Sequence, residues 1–179
     1  MRLSFTKIRD GQRGFSILEM MIATVILLVG LVAIAQLVPA SILLNYRNRT
    51  DSSALVFAQS LLDQFLDQPL SAASFTDTPG NPCAFGCSLG NPALPNTVQG
   101  SLLFPGQALI DFGQAPVANY SLTYQDFTDP SGTMYDVRWA VILTGNGTSV
   151  YARRFILGIR QQGGSGYFQP VTLDTMVEK

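Results

Sequence analysis

The residue with the clearest potential for a functional role lies near the N-terminus, where one carboxylate interrupts a long apolar run. Glu19 is the only ionisable side chain between Phe15 and Tyr46. A lone carboxylate in apolar surroundings must find a partner or take up a proton. Within a membrane segment such an acid is costly and marks a functional position by default. Glu19 is therefore the leading candidate for a functional side chain.

The element that must position Glu19 is long enough to span a bilayer. The apolar run continues to Val38. About 20 apolar residues at ~1.5 Å each cross the hydrocarbon layer. The sequence therefore predicts a transmembrane and assembly helix over residues 15–45.

The start of this run resembles a known processing site. The hexapeptide GFSILE at residues 14–19, after a short basic leader, is similar to the cleavage site of type IV prepilins and of the related pseudopilins of type II secretion. The resemblance covers roughly residues 14–69 and is specific around the cut. It implies that prepilin peptidase cleaves after Gly14 and N-methylates Phe15. It also implies that Glu19 of an incoming subunit neutralises the liberated amine of Phe15 on a neighbour, since α-amines are mostly protonated at neutral pH.

Pro39 lies inside the predicted helix. Proline lacks the N–H and crowds the preceding turn, so we expect it to kink the helix or to release a turn. It resembles the proline at a similar depth in pilins, where the helix bends or melts within the fibre. An overlapping interpretation is that Pro39 marks the end of the membrane span.

Charge differs between the two ends of the chain. Residues 1–14 carry four basic and one acidic side chains, whereas the remainder carries seven basic and eleven acidic ones. Basic flanks of a membrane segment stay cytoplasmic. We therefore expect residues 1–14 to be a cytoplasmic leader and residues 46–179 a periplasmic domain, with a single pass through the bacterial inner membrane before incorporation into a pilus or pseudopilus. An uncleaved signal anchor would have the same hydropathy, but it would not need glycine at 14 or an acid at 19.

The region after the membrane segment begins with a second kind of helical pattern. Apolar residues recur at three- and four-residue spacings from Ala54 to Leu66, and Pro69 ends the pattern. This predicts an amphipathic helix over 46–68 whose apolar stripe lies against a sheet. Residues 69–118 are rich in Pro, Gly, Asn and Ser and predict an irregular loop region, with short strands or turns at 99–104 and 108–112.

The last part of the chain, residues 119–179, alternates apolar and polar residues as antiparallel strands do. Turn sequences at 129–132 and 145–147 separate the runs, and the glycine-rich stretch 163–166 precedes a short strand near 167–173. The sequence thus predicts an α+β fold, with a long N-terminal helix packed on a small antiparallel sheet of three or four strands. This is the pilin fold that the resemblance implies.

Two cysteines and three aspartates offer other chemistries. Cys83 and Cys87 lie in an exported loop, where a disulfide is favoured over free thiols. Two sulfurs without histidine disfavour a metal site. Asp126, Asp129 and Asp136 could indicate calcium, which some pseudopilins bind, but their spacing does not fit a recognised loop and a hairpin turn already explains Asp129.

Four arginines in the last third could indicate nucleic acid. Alternation places Arg154 and Arg160 on one strand face and Arg153 on the other, and the exported part is net acidic. A solvated strand face is the favoured interpretation for these residues together with Arg138, so no nucleic acid partner is expected.

The absence of histidine excludes histidine-based triads, bases and metal sites. No nucleophile–base set is evident, so a non-enzymatic protein without a cofactor is expected. The leading hypothesis is a minor type IV pilin, similar in outline to the pilus-modification type, with a helix ending near Gln68-Pro69 and a late strand at 135–139. Its partners would be prepilin peptidase, other pilin or pseudopilin subunits, the inner-membrane assembly platform and membrane lipid.

Two other hypotheses remain open. The second is a pseudopilin of a type II secretion system, and the presence of Glu19 argues against its tip subunit, which typically lacks this acid. The third, from a different class, is a membrane-tethered periplasmic enzyme or binding domain that has acquired the leader.

Overall fold

The computed structural model describes residues 14–125, 132–147, 149–163 and 170–178. Of the expected features, the leader before Gly14, the two aspartates at 126 and 129, and the turn residues 129–131 lie outside this part of the chain. In the described residues one helix, α1, is followed by seven strands: α1 Ile17–Leu66, β1 Ser74–Phe75, β2 Cys87–Ser88, β3 Val98–Gly100, β4 Ser121–Gln125, β5 Met134–Gly145, β6 Val150–Gln162 and β7 Val171–Glu178.

Helix α1 is 50 residues long, and the chain divides after Tyr46 into two compact units, each described by itself. In the first unit every described side chain is exposed, and an 18-residue window of α1 has a mean hydropathy of 2.7. By length and composition this segment can cross a membrane. The α-helix runs through Pro39 without a break, and the kink at this residue stays a prediction.

In the second unit α1 buries one stripe of side chains against the sheet, as its spacing predicts. Phe65 lies at the centre of this contact, with its ring centroid 5.2 Å from that of Trp139 and 5.4 Å from that of Phe155. All three side chains are fully buried. The α+β prediction is confirmed. The other fully or nearly fully buried residues of the stripe are Ala54, Ala58, Leu61 and Leu62.

The main sheet is antiparallel and is built around the long hairpin of β5 and β6; among the described residues it has five strands, so the expectation of three or four is wrong. Its strand order is β3-β5-β6-β7, and β4 pairs with β5 beside β3. Gly100 permits this arrangement. It has a φ of +100°, and a Cβ at this position would lie 2.8 Å from the carbonyl oxygen of Trp139 and would collide with the ring of Tyr120.

Two segments differ from the prediction. The region 69–118 is not wholly irregular, because β1 and β2 form a small antiparallel sheet, β3 joins the main sheet, and Leu103 pairs with Ile110. The C-terminal strand is Val171–Glu178, which extends further than the expected 167–173; residues 167–169 of that expectation lie outside the described part of the chain. Pairing of β3 with β5 and of β7 with β6 joins distant segments, and local composition does not report it.

The prediction of a solvated arginine face is wrong for Arg153 and Arg138. Arg153 is fully buried on the core face of β6, where its Nη2 donates to the carbonyl oxygens of Leu70 at 2.5 Å and Ala72 at 2.7 Å. The segment after α1 crosses the sheet at Arg153, and the carbonyls of Leu70 and Ala72 in this segment need hydrogen-bond donors. Arg138 is 6% exposed and takes part in an ion pair described below.

Candidate processing and assembly site

The predicted processing site lies immediately before and within the first turn of α1. Ser16 precedes the helix, and its Oγ accepts a hydrogen bond from the Leu18 N–H at 3.3 Å. Its carbonyl oxygen accepts the first helical hydrogen bond from Met20 at 3.1 Å. Ser16 is therefore the N-cap residue, whose side chain satisfies a backbone donor that has no helical partner.

Glu19 occupies the third position of the helix, three residues after the cap. The spacing Ser-x-x-Glu is that of a capping box, but the Glu19 carboxylate makes no bond to the Ser16 N–H among the described residues, and Ser16 Oγ accepts from Leu18 instead. A carboxylate in the first turn is also favoured by the helix dipole. Sequence reasoning missed this second interpretation of Glu19, although the spacing from Ser16 could have shown it.

The predicted scissile bond is accessible. Gly14 and Phe15 are both exposed, with Phe15 at 80%. A Cβ built at Gly14 would meet no atom within 4 Å. Packing among the described residues therefore does not require glycine at this position, and a requirement for glycine would have to come from a partner that binds the segment.

The carboxylate of Glu19 has no hydrogen-bond or ion-pair partner among the described residues. The nearest basic side chain after Gly14 is Arg47, 28 residues beyond Glu19 in the sequence. After cleavage, the cation closest in sequence would be the new α-amine of Phe15. The arrangement leaves Glu19 available for a positive group on another molecule.

Two hydroxyl groups of the apolar segment satisfy their donors within the helix. Thr24 donates to the carbonyl oxygens of Met20 and Met21 at 3.0 and 2.8 Å, and Ser41 donates to that of Val38 at 2.9 Å. Back-bonding of this kind lets hydroxyls enter lipid at small cost. Glu19, when ionised, has only acceptors and cannot be satisfied in this way.

The two cysteines are joined in a disulfide with a Cα–Cα distance of 5.3 Å. Both are buried, at 0% and 2% exposure, and within the loop that they close the Gly86 N–H donates to the Cys83 carbonyl at 2.9 Å. Phe85 projects from this loop and is completely exposed. The pair holds a tight surface loop and supplies no thiol chemistry.

Of the three aspartates considered for calcium, the described Asp136 is committed to two guanidinium groups. It lies 2.8 Å from Nη2 of Arg138 and 3.3 Å from Nη2 of Arg160. The same two arginines flank the Phe112 ring, with their Cζ atoms 5.1 and 4.7 Å from its centroid. Within the described residues no group of three His, Cys, Asp or Glu side chains could hold a metal ion. The calcium interpretation gains no support.

A further ion pair joins Arg154 on β6 to Asp174 on β7 at 2.5 Å, and both side chains are partly exposed. The hydrogen bond from Arg154 lowers the pKa of Asp174, and the carboxylate raises the pKa of Arg154 in return. For the buried Arg153, burial lowers the pKa of the guanidinium. The arginines considered for nucleic acid are thus engaged with groups of the protein itself.

Comparison with known proteins bears on the N-terminal segment alone. Residues 9–35 match a family model described as the prokaryotic N-terminal methylation motif. Comparisons with curated proteins and with solved structures gave no match. The matched residues contain the exposed Gly14–Phe15 bond, the Ser16 cap and Glu19.

Proposed function

We propose that this chain is a minor type IV pilin. Its N-terminal methylation motif supports membership of the type IV prepilin and pseudopilin family. One observation carries the proposal. The motif lies at the exposed and capped start of a helix of membrane length, with a carboxylate that has no partner among the described residues. A structural subunit, rather than an enzyme, makes use of such an N-terminus.

Maturation is the first step of the proposed function. Prepilin peptidase adds water across the bond between Gly14 and Phe15, which releases the leader and frees the α-amine of Phe15. Methylation leaves this amine basic, so it keeps its positive charge at neutral pH. Support comes from the exposure of both residues and from the open space around Gly14.

Assembly is the second step. Glu19 of an incoming subunit pairs with the methylated amine of Phe15 on a neighbour, so that each charge offsets the cost of the other in lipid. For a charge at the centre of a membrane helix, that cost is roughly 2.5–3.5 kcal/mol on insertion scales. It is smaller for Glu19, which lies in the first helical turn. Pairing would set the axial register of packed helices, with Pro39 as the proposed site of bending in the fibre.

The proposed location is the bacterial inner membrane, with the N-terminus cytoplasmic and the domain from residue 46 onward periplasmic, and later the pilus. The other subunits, the assembly platform and membrane lipid are the proposed partners. The second candidate is a pseudopilin of a type II secretion system, because the methylation motif is shared by both classes.

Mass spectrometry of the membrane form tests the proposal. We expect a mature chain that begins at methylated Phe15 in cells with the peptidase. Gly14→Val should leave the full-length chain uncut, whereas the matched control Gly11→Val should be processed normally. A native chain that still begins at Met1 would refute the proposal. Subunits that co-purify with the mature chain distinguish a pilus from a secretion pseudopilus.

A further inference from the structure

A groove runs along strand β4 in the second unit and is formed by three elements. One wall is α1 at Phe57 and Gln64, the second is the disulfide loop at Phe85, and the floor is β4 with Leu122 and Tyr124. We call this the β4 groove. Its volume is about 720 Å³, which is within the usual range for a binding cleft.

The floor of the β4 groove is a strand edge without a partner. Among the described strands, β4 pairs only with β5. The Trp139 N–H of β5 donates to the Tyr120 carbonyl at 3.0 Å, and antiparallel bonding alternates along a strand. The backbone N–H and C=O groups of Ser121, Thr123 and Gln125 therefore point away from β5. Such a row is a template for another strand.

A buried acceptor in the wall also lacks a partner. Gln64 lines the groove, and its side-chain Oε1 is buried without a hydrogen bond. Buried polar atoms are nearly always paired, and an orphan acceptor calls for an explanation. This oxygen is closed off from solvent, so a bound segment could donate to it only after the Gln64 side chain turns toward the groove.

The chemistry of the walls limits the occupant. No acidic or basic side chain is among the described residues that line the groove. Phe57 stacks on Tyr124 with ring centroids 3.7 Å apart and planes 11° from parallel. Phe85 is completely exposed at the mouth, where the disulfide and the turn at Gly86 hold its backbone. These features favour an uncharged occupant with apolar side chains.

We propose that the β4 groove binds an extended, uncharged segment of a different protein, which adds to the main sheet as a strand beside β4. Backbone hydrogen bonds to Ser121, Thr123 and Gln125 would supply affinity, and contacts with Phe57 and Phe85 would select side chains. The five-residue strand offers an edge of about 17 Å. This interaction uses the second unit alone and does not depend on the assembly role of Glu19.

The test uses the full chain, ¹⁵N-labelled and held in lipid nanodiscs. The probes are end-blocked heptapeptides of alternating threonine and either valine, leucine or phenylalanine. Each has a twin that is N-methylated at every second residue and cannot pair as a strand. We expect the plain peptides to shift the amide resonances of Ser121, Thr123 and Gln125 and to slow their hydrogen exchange, with saturation at roughly millimolar peptide.

Proline variants on the two edge strands, β4 and β7, test whether the peptide binds at β4. Thr123→Pro removes an outward donor without breaking the pairing of β4 with β5, since edge strands tolerate proline there. It should abolish peptide binding, whereas Met176→Pro on the opposite edge strand β7 should leave it unchanged.

Four outcomes would overturn the proposal. In one, no plain peptide perturbs the β4 amides, and in the second the N-methylated twins act as strongly as the plain peptides. The third is protection of the same amides by raising the concentration of the chain alone, which would make a second copy the occupant. Binding that survives in Thr123→Pro and is lost in Met176→Pro would place the site on the other edge.

Discussion

Substitution of Glu19 by glutamine separates the two roles that the structure allows for this residue. Glutamine keeps the length and the acceptor of the side chain, and it is accepted at the third position of a capping box. Glutamine removes only the negative charge, whereas alanine removes both the charge and the hydrogen-bond acceptor. If Glu19 acts by pairing its charge with the amine of Phe15 on a neighbour, Glu19→Gln and Glu19→Ala should impair assembly equally.

The expected magnitude follows from the position of Glu19 in the helix. The cost of roughly 2.5–3.5 kcal/mol applies to a charge at the membrane centre. Glu19 is three residues after the cap at Ser16, near the helix end, so we take about 1–2 kcal/mol as the loss when the pair is removed. At 1.4 kcal/mol per tenfold change, this corresponds to a drop of about 5- to 30-fold in incorporation. A capping bond from the Glu19 side chain, which the described residues do not show, would be worth ~1 kcal/mol or less, and glutamine would keep it.

The assay compares sheared fibres with membranes from cells that produce each variant, by quantitative immunoblot and by mass spectrometry of the N-terminus. Processing should be intact in both variants, because Glu19 lies beyond the scissile bond by several residues. Asp51→Asn is the matched control, since Asp51 is an exposed acid on the same helix outside the apolar segment. It should assemble as the native chain does.

Two results would refute this reasoning. Normal incorporation of Glu19→Gln together with failure of Glu19→Ala would show that the cap, and not the charge, is the functional property. Normal incorporation of both variants would show that Glu19 has no role in assembly. A processing defect in either variant would place Glu19 in recognition by the peptidase instead.

Three further predictions concern the second unit, and the buried Trp139, which is the single tryptophan of the chain, provides a fluorescence signal for denaturant unfolding in each case. Phe65→Ala should lower the free energy of unfolding by about 3–5 kcal/mol, because it leaves a cavity where α1 meets the sheet; a loss below about 1 kcal/mol would show that α1 is not part of the core. Arg153→Met keeps the volume but removes the donor to the carbonyls of Leu70 and Ala72. We expect a loss of about 1–2 kcal/mol, because the same change removes the buried Nε and Nη1, which have no partner among the described residues; an unchanged midpoint would contradict the role given to the guanidinium. The hydrogen bond from Arg154 lowers the pKa of Asp174 in the folded state, so its contribution is present at neutral pH and is lost as the pH falls through this lowered pKa. Asp174→Asn should therefore lower the free energy of unfolding by at most ~1 kcal/mol at pH 7, since the pair is partly exposed. This difference in stability from the native chain should vanish in acid. A difference that grows as the pH falls would contradict the lowered pKa of Asp174.

Local patterns in the sequence were sufficient for the elements themselves. An apolar run with one acid predicts a membrane-length helix, three- and four-residue spacing predicts the stripe around Phe65, and alternation predicts the hairpin of β5 and β6. These properties depend on the period of each element and on neighbours within a few residues, so they can be read without the fold. The Ser16 cap belongs to the same class, because its signal is local.

Tertiary structure alone decided which backbone groups would be left without partners. Arg153 alternates onto the core face of β6, yet its burial depends on Leu70 and Ala72, which are more than eighty residues away in the chain. The placement of β3 and β4 on the same side of β5 likewise rests on pairings between distant segments, and it leaves one edge of β4 unpaired among the described strands. Loop closure and strand pairing over such distances are set by the whole chain, and for this reason the Arg153 contacts and the β4 groove appear only in the folded molecule.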